Sequence, residues 1–157
     1  MKRLLPMLAA LLFASPALAH DVIVSGLHFV HPRIAEPIRG AMSGAAYVVI
    51  ANEGNTPDRL LGVETDVAMM AMLHTTEFGA DGVARMQEVP PVIIAPGDVF
   101  SLEPGGAHIM LMGIDRGLKV GDMVPFTLIF ETAGRIEMEF IVDPADPDEP
   151  AMGEHMH

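Results

Sequence analysis

Turn-forming residues interrupt this chain so often that no long helix fits between them. They stand at "NEGNTPD" (52–58), "GADG" (79–82), "PP" (90–91), "APGD" (95–98), "EPGG" (103–106), "GD" (121–122) and "AG" (133–134). Between them lie short runs that are apolar and β-branched, or that alternate apolar with polar: "AAYVVIA", "GVARMQEV", "PVIIA", "DMVPFTLIFE" and "RIEMEFIVD". Many short strands separated by frequent turns predict an all-β sandwich or barrel. "DVIVSGLHFVHP" reads as the first strand or strand pair, and "RLLGVETDVAMMAMLHTTEF" as one or two strands. The Ala/Met-rich middle of the latter leaves a helical alternative open on pattern alone.

The two ends differ from this body. "MKRLLPMLAALLFASPALA" has basic Lys2 and Arg3, an apolar run from Leu8 to Phe13 and a small-residue ending at Ala19. That order predicts a secretory signal peptide over residues 1–19, cleaved before His20. No later segment offers the roughly 18 uninterrupted apolar residues of a membrane span, so no membrane insertion is expected. With no Cys to acylate, no lipid anchor is expected either. From Asp143 on, "DPADPDEPAMGEHMH" carries five acidic residues, three Pro and no Lys or Arg, which predicts a flexible acidic tail over 143–157. One folded domain is left at 20–142. Losing two of nine basic residues and none of 21 acidic ones takes the formal net charge from −12 to −14. Such a surface repels nucleic acid and anionic membranes and tolerates cations.

The absence of Cys removes disulfides, thiol nucleophiles, thiolate zinc sites and the cysteine-ligated blue-copper site. Soft-metal chemistry is then left to thioether and imidazole, and the chain has 13 Met and 7 His. In "AHIMLMG" (107–113) His108, Met110 and Met112 fall at every second position. On a strand such residues share one face, about 6.6 Å apart along the chain, while Ile109 and Leu111 turn into the core. A single such pair is most simply explained by packing, so partners are needed. His74 ends "VAMMAMLH", Met86 sits in "GVARMQEV", and the "GADG" turn between them would lay their strands side by side.

The resulting spacing is His74, eleven residues, Met86, twenty-one residues, His108, one residue, Met110. It resembles the motif of the periplasmic copper chaperones of the PCuAC family, and the flanking "LHTTEFGADGVARMQEV", "LEPGGAHIMLMG" and "HPRIAEP" are similar too. The likeness runs from about Leu27 to Val142. It implies a cupredoxin-like Greek-key β-barrel, a periplasmic location, and Cu(I) held by His74, Met86, His108 and Met110. It also implies delivery to the copper centres of a respiratory cytochrome oxidase, directly or through another assembly factor, and no enzymatic activity. Some members carry a second Met directly after the first His, where this chain has Thr75. The chemistry agrees with the resemblance, since two neutral sulfurs and two borderline nitrogens favour Cu(I) over harder cations. Neither donor type is lost to disulfide formation in an oxidising compartment.

Other donors receive smaller roles. Met70 and Met72 share parity with His74, and Met112 with Met110; they read as packing or as surface flanking the site. His28 and His31 read as structural. The tail offers Met152, His155, Met156 and His157 as a second copper site, with Cu(II) a candidate ion there. A free amine at His20 would add a Cu(II) chelate and with it a copper enzyme as an alternative function. A copper buffer or resistance protein without a dedicated recipient is the other alternative.

Overall fold

The computed structural model describes residues 21–80 and 82–145, and all regular structure among them is β. The strands are β1 (Val22–Val24), β2 (Leu27–Ala35), β3 (Ser43–Asn52), β4 (Asp58–Thr65), β5 (Ala68–Phe78) and β6 (Ala84–Glu88). They continue with β7 (Val92–Ile94), β8 (Val99–Leu102), β9 (Ala107–Ile114), β10 (Met123–Phe130) and β11 (Arg135–Asp143). The Ala/Met-rich segment is strand β5, not helix. Ala and Met favour helix by only tenths of a kcal/mol per residue, and the backbone pairing with β9 on one edge and β6 on the other overrides that preference.

The strands form one curled half-barrel in the order β6-β5-β9-β3-β2-β11-β10-β4-β7, with β1 paired to β2 and β8 to β3. Neighbours in this order are mostly distant in sequence, as the expected Greek-key, cupredoxin-like fold requires. β3 organises the sheet. Its first residues pair with β9 and its last with β8, while its other edge pairs with β2. β2 in turn bulges between Val30 and Arg33, where His31 takes a positive φ of 49°, and its end runs parallel to β11. The described chain places Asp143 within β11, one residue beyond the boundary read from composition. Its carboxylate is held by the Nε2 of His31 at 2.8 Å, and Asp143 pairs with Ala35.

The core fills the concave side. Alternate residues of β10 and β11 are buried, and Phe126 stacks on Phe140 with ring centroids 4.2 Å apart. Phe29 meets Phe130 edge to face at 6.0 Å. From the other half of the sheet come Ala46, Val48 and Ile50 of β3, Leu73 of β5, and Ile109 and Leu111 of β9. Ile109 and Leu111 therefore face inward as their alternation predicts. At the rim, Glu64 receives a two-pronged hydrogen bond from Arg135, which lowers its carboxyl below the ordinary range. His28 is gripped by Glu53 at 3.0 Å and lies 3.5 Å from Asp21. These carboxylates, Glu53 foremost, raise its imidazole above the ordinary value. Both His28 and His31 thus hold strand ends, the structural role read from the sequence.

Two buried polar side chains replace the missing disulfides as loop staples. Asn52 donates to the carbonyls of Thr56 and Ile94 and accepts from the amide of Gly54. Asp58 accepts from the amides of Arg59, Thr132 and Ala133, tying the start of β4 to the β10–β11 turn. Asp58→Ala leaves the Thr132 and Ala133 amides without their acceptor and is expected to cost about 2–4 kcal/mol. Urea unfolding would check this; a change within 0.5 kcal/mol, the usual scatter of surface substitutions, would show that the turn is held by other means.

Candidate metal centre

The register of β5 against β9 decides what the outer face of this sheet displays. Leu73 pairs with Ile109 and Ala71 with Leu111, and these four turn toward the core. The alternate pairs therefore turn outward: His74 with His108, Met72 with Met110, and Met70 with Met112. Directly opposed residues in an antiparallel pair have Cβ atoms roughly 4.5–5.5 Å apart. The two imidazoles use that closeness, with ring centroids 6.3 Å apart and planes inclined at 64°.

His108 is oriented by its own hairpin. The "EPGG" turn is closed by the Gly106 amide bonding to the Glu103 carbonyl, with Gly105 at φ 78°. This brings the Gly106 carbonyl to 3.1 Å from Nδ1 of His108. Only a protonated Nδ1 can donate to a carbonyl, so Nε2 carries the lone pair. A backbone carbonyl that fixes the tautomer of one ring nitrogen is the usual second contact of a metal-ligating histidine. The Nε2 atom is buried, and the residue is only 3% exposed. His74 is half-buried, and its Nδ1 is buried with no hydrogen-bond partner among the described residues. A buried imidazole nitrogen without a hydrogen bond is costly unless something else binds it.

The sulfurs flank this pair unequally. Met110 stands one pair along from His108 on the same face of β9 and is half-buried. Met86 lies on β6, the outermost strand, opposite Thr76 and so one pair beyond His74 in the other direction; it is 47% exposed. The structure thus brings His74, His108 and Met110 together and sets Met86 diagonally across the histidines. Thr75 points to the other face. Met70 and Met112 are not packing residues: they are 50% and 40% exposed. Among the described residues no group of three or more His, Asp and Glu could hold a metal. A metal on this face would depend on imidazole and thioether donors. His20 and the tail residues Met152, His155, Met156 and His157 lie outside the described residues.

Three neighbours of the pair were not singled out from sequence. Ala45 is paired with Met110 and is 3% exposed. Tyr47, two residues along on the same face of β3, is 4% exposed and lies beneath the Arg33 guanidinium at 4.6 Å. Glu88 is paired with His74 from β6. The even run "AAYVVIA" hid the first two, since a strand apolar on both faces gives no sign of which residues border a site.

A family model for LpqE-like lipoproteins matches residues 27–142, which is most of the chain and includes all four motif positions. The chain belongs to the LpqE-like family. A relative of this LpqE-like protein, "Putative lipoprotein Lxx21020" of Leifsonia xyli subsp. xyli (strain CTCB07), is 34% identical over 96 residues. That match spans 59% of this chain and 57% of the relative's length. Among solved structures, the apo PCuAC domain from PmoF1 aligns with a TM-score of 0.69 at 30% identity, over 80% of this chain and 99% of that one. The solution structure of CuI-DR1885 from Deinococcus radiodurans aligns with a TM-score of 0.60 at 31% identity, over 85% of each chain. The PCuAC likeness seen in the sequence is therefore borne out by family and by fold. No helix among the described residues is long and apolar enough to cross a membrane.

The hairpin geometry has a direct spectroscopic consequence for the metal-free protein. Long-range proton–nitrogen correlation spectra, recorded above the imidazole titration range, should show His108 as the Nδ1–H tautomer. An Nε2–H tautomer would mean that the Gly106 carbonyl does not orient the ring.

Proposed function

We propose that this LpqE-like protein is an exported, periplasmic Cu(I) carrier that binds its cargo through His74, Met86, His108 and Met110 and passes it to a copper centre of a respiratory oxidase. The observation that carries the reading is the opposed His74 and His108 pair. One ring is fixed to present Nε2, and thioethers are the nearest additional soft donors on the same outward face. Two imidazoles and two thioethers form a soft, neutral set suited to Cu(I). The likeness to a structure solved with Cu(I) supports the same choice of ion.

The placement of Met86 suggests how such a site loads and unloads. On a flat sheet Met86 and Met110 would stand two strand spacings and four residues apart, roughly 16 Å between Cα atoms. Joint ligation therefore requires the β6 edge to curl over the histidines. Among the described residues β6 pairs with β5 alone, so it is a strand well placed to do this. In this reading His74, His108 and Met110 capture the ion and Met86 covers it. A recipient displaces Met86 first, then the remaining donors one at a time. Copper is cargo here and stays Cu(I), so the exchange needs no electron donor.

The test is transfer. Cu(I)-loaded protein mixed with an apo oxidase copper domain should metallate it faster than the same concentration of chelator-buffered Cu(I). The His108→Ala variant should give no acceleration. Tight Cu(I) binding without acceleration of the recipient would instead make the protein a copper buffer.

A further inference from the structure

The outer face that carries the two histidines continues as a row of methionines. Met72 is paired with Met110, and Met70 with Met112, on the same two strands. The row ends beside Gly113, where the amides of Gly113 and Ile114 both bond to the Met42 carbonyl, at 2.7 and 3.0 Å. Gly113 has a φ of 71°, and a Cβ there would come within 2.9 Å of the Met69 side chain. At 50% and 40% exposure, Met70 and Met112 contribute little to the core. The face of an exposed strand is a place for polar or β-branched residues, so three thioethers in register there call for a purpose other than packing.

We infer that Met70, Met72 and Met112 form a second, thioether-only Cu(I) site that opens directly onto Met110. Pairing puts Met70 opposite Met112 at about 5 Å between Cβ atoms, and Met72 follows Met70 on the same face about 6.6 Å along the strand. Long unbranched side chains from these three positions can converge on one ion. Three neutral sulfurs with no nitrogen or oxygen donor select Cu(I) and reject harder cations. Met72 faces Met110, so the two sites share an edge. An ion leaving the thioether site gains the Met110 sulfur as it loses that of Met70, gains one imidazole as it loses Met112, and gains the other imidazole as it loses Met72. Each step makes one bond to copper as another breaks, with no change of oxidation state. The solvent-exposed end is thereby a weaker receiving site, and the histidine pair the tighter store. The direction of travel rests on the carrier reading above; the ability of the three sulfurs to hold Cu(I) does not.

The experiment is an anaerobic Cu(I) titration of the full chain labelled at the Met methyl carbons. His155 and His157 are replaced by Ala, and Met152 and Met156 by Leu, so that the tail cannot contribute. Two equivalents should bind, the second at least tenfold more weakly. The methyl signals of Met86 and Met110 should move with the first, and those of Met70, Met72 and Met112 with the second. Replacing Met70, Met72 and Met112 together by Leu, which conserves volume, should remove the second equivalent and keep the first. Binding of a single equivalent, or a second equivalent that leaves these three methyls unmoved, would overturn the inference on the unsubstituted face alone. Failure of the carrier reading has a different signature. There the first equivalent would move the Met70, Met72 and Met112 methyls, and His108→Ala would leave it unaffected.

Discussion

The register between β5 and β9 is the constraint on which the rest depends. It is fixed by apolar residues that never touch the site: Leu73 opposite Ile109 and Ala71 opposite Leu111, sealed against the core. Because side chains alternate with a period of two, burying these four necessarily turns His74, His108, Met72, Met110, Met70 and Met112 outward in facing pairs. A slip of one residue would send the imidazoles into the core and leave leucines on the surface. The hydrophobic core therefore positions the donors without contacting any ion.

The chemistry of the face follows from what the chain lacks as well as what it has. With no Cys in its 157 residues, the chain has only thioether and imidazole as soft donors. Both are neutral when they ligate, so the donors themselves leave the ion's charge uncompensated, and Glu88, paired with His74, is the acidic residue set beside them. A neutral donor set favours binding that is selective and reversible, as the proposed carrier role requires. The one strongly oriented donor, His108, is held by a hairpin carbonyl, whereas Met86 stands on the edge strand. The proposed anchor and cover correspond to an interior strand and an edge strand of the sheet.

Much of this was legible in the sequence because two periodicities coincide. The turn punctuation announces short strands, and the alternation in "AHIMLMG" separates core from outer face correctly. The spacing of His74, Met86, His108 and Met110 carried the family likeness. The helical option for the "VAMMAMLH" segment was a real ambiguity, since Ala and Met favour helices and only pairing with distant β9 decides against them. The tyrosine and alanine bordering the site were invisible, because a strand buried on both faces shows no alternation. The exposure of Met70 and Met112 could not be read either. Whether a sulfur on the right parity is covered depends on what the sheet packs against, and that is set by residues far away in the chain.

In the proposed site two imidazoles and two thioethers from three neighbouring strands converge on one cuprous ion. X-ray absorption at the copper edge of the protein loaded with one equivalent of Cu(I) tests it most directly, alongside the Met86→Leu variant. The expected shell is two nitrogen and two sulfur neighbours in the unsubstituted protein and one fewer sulfur in the variant. A shell of nitrogen and oxygen alone, or a sulfur count unchanged by the loss of Met86, would contradict it.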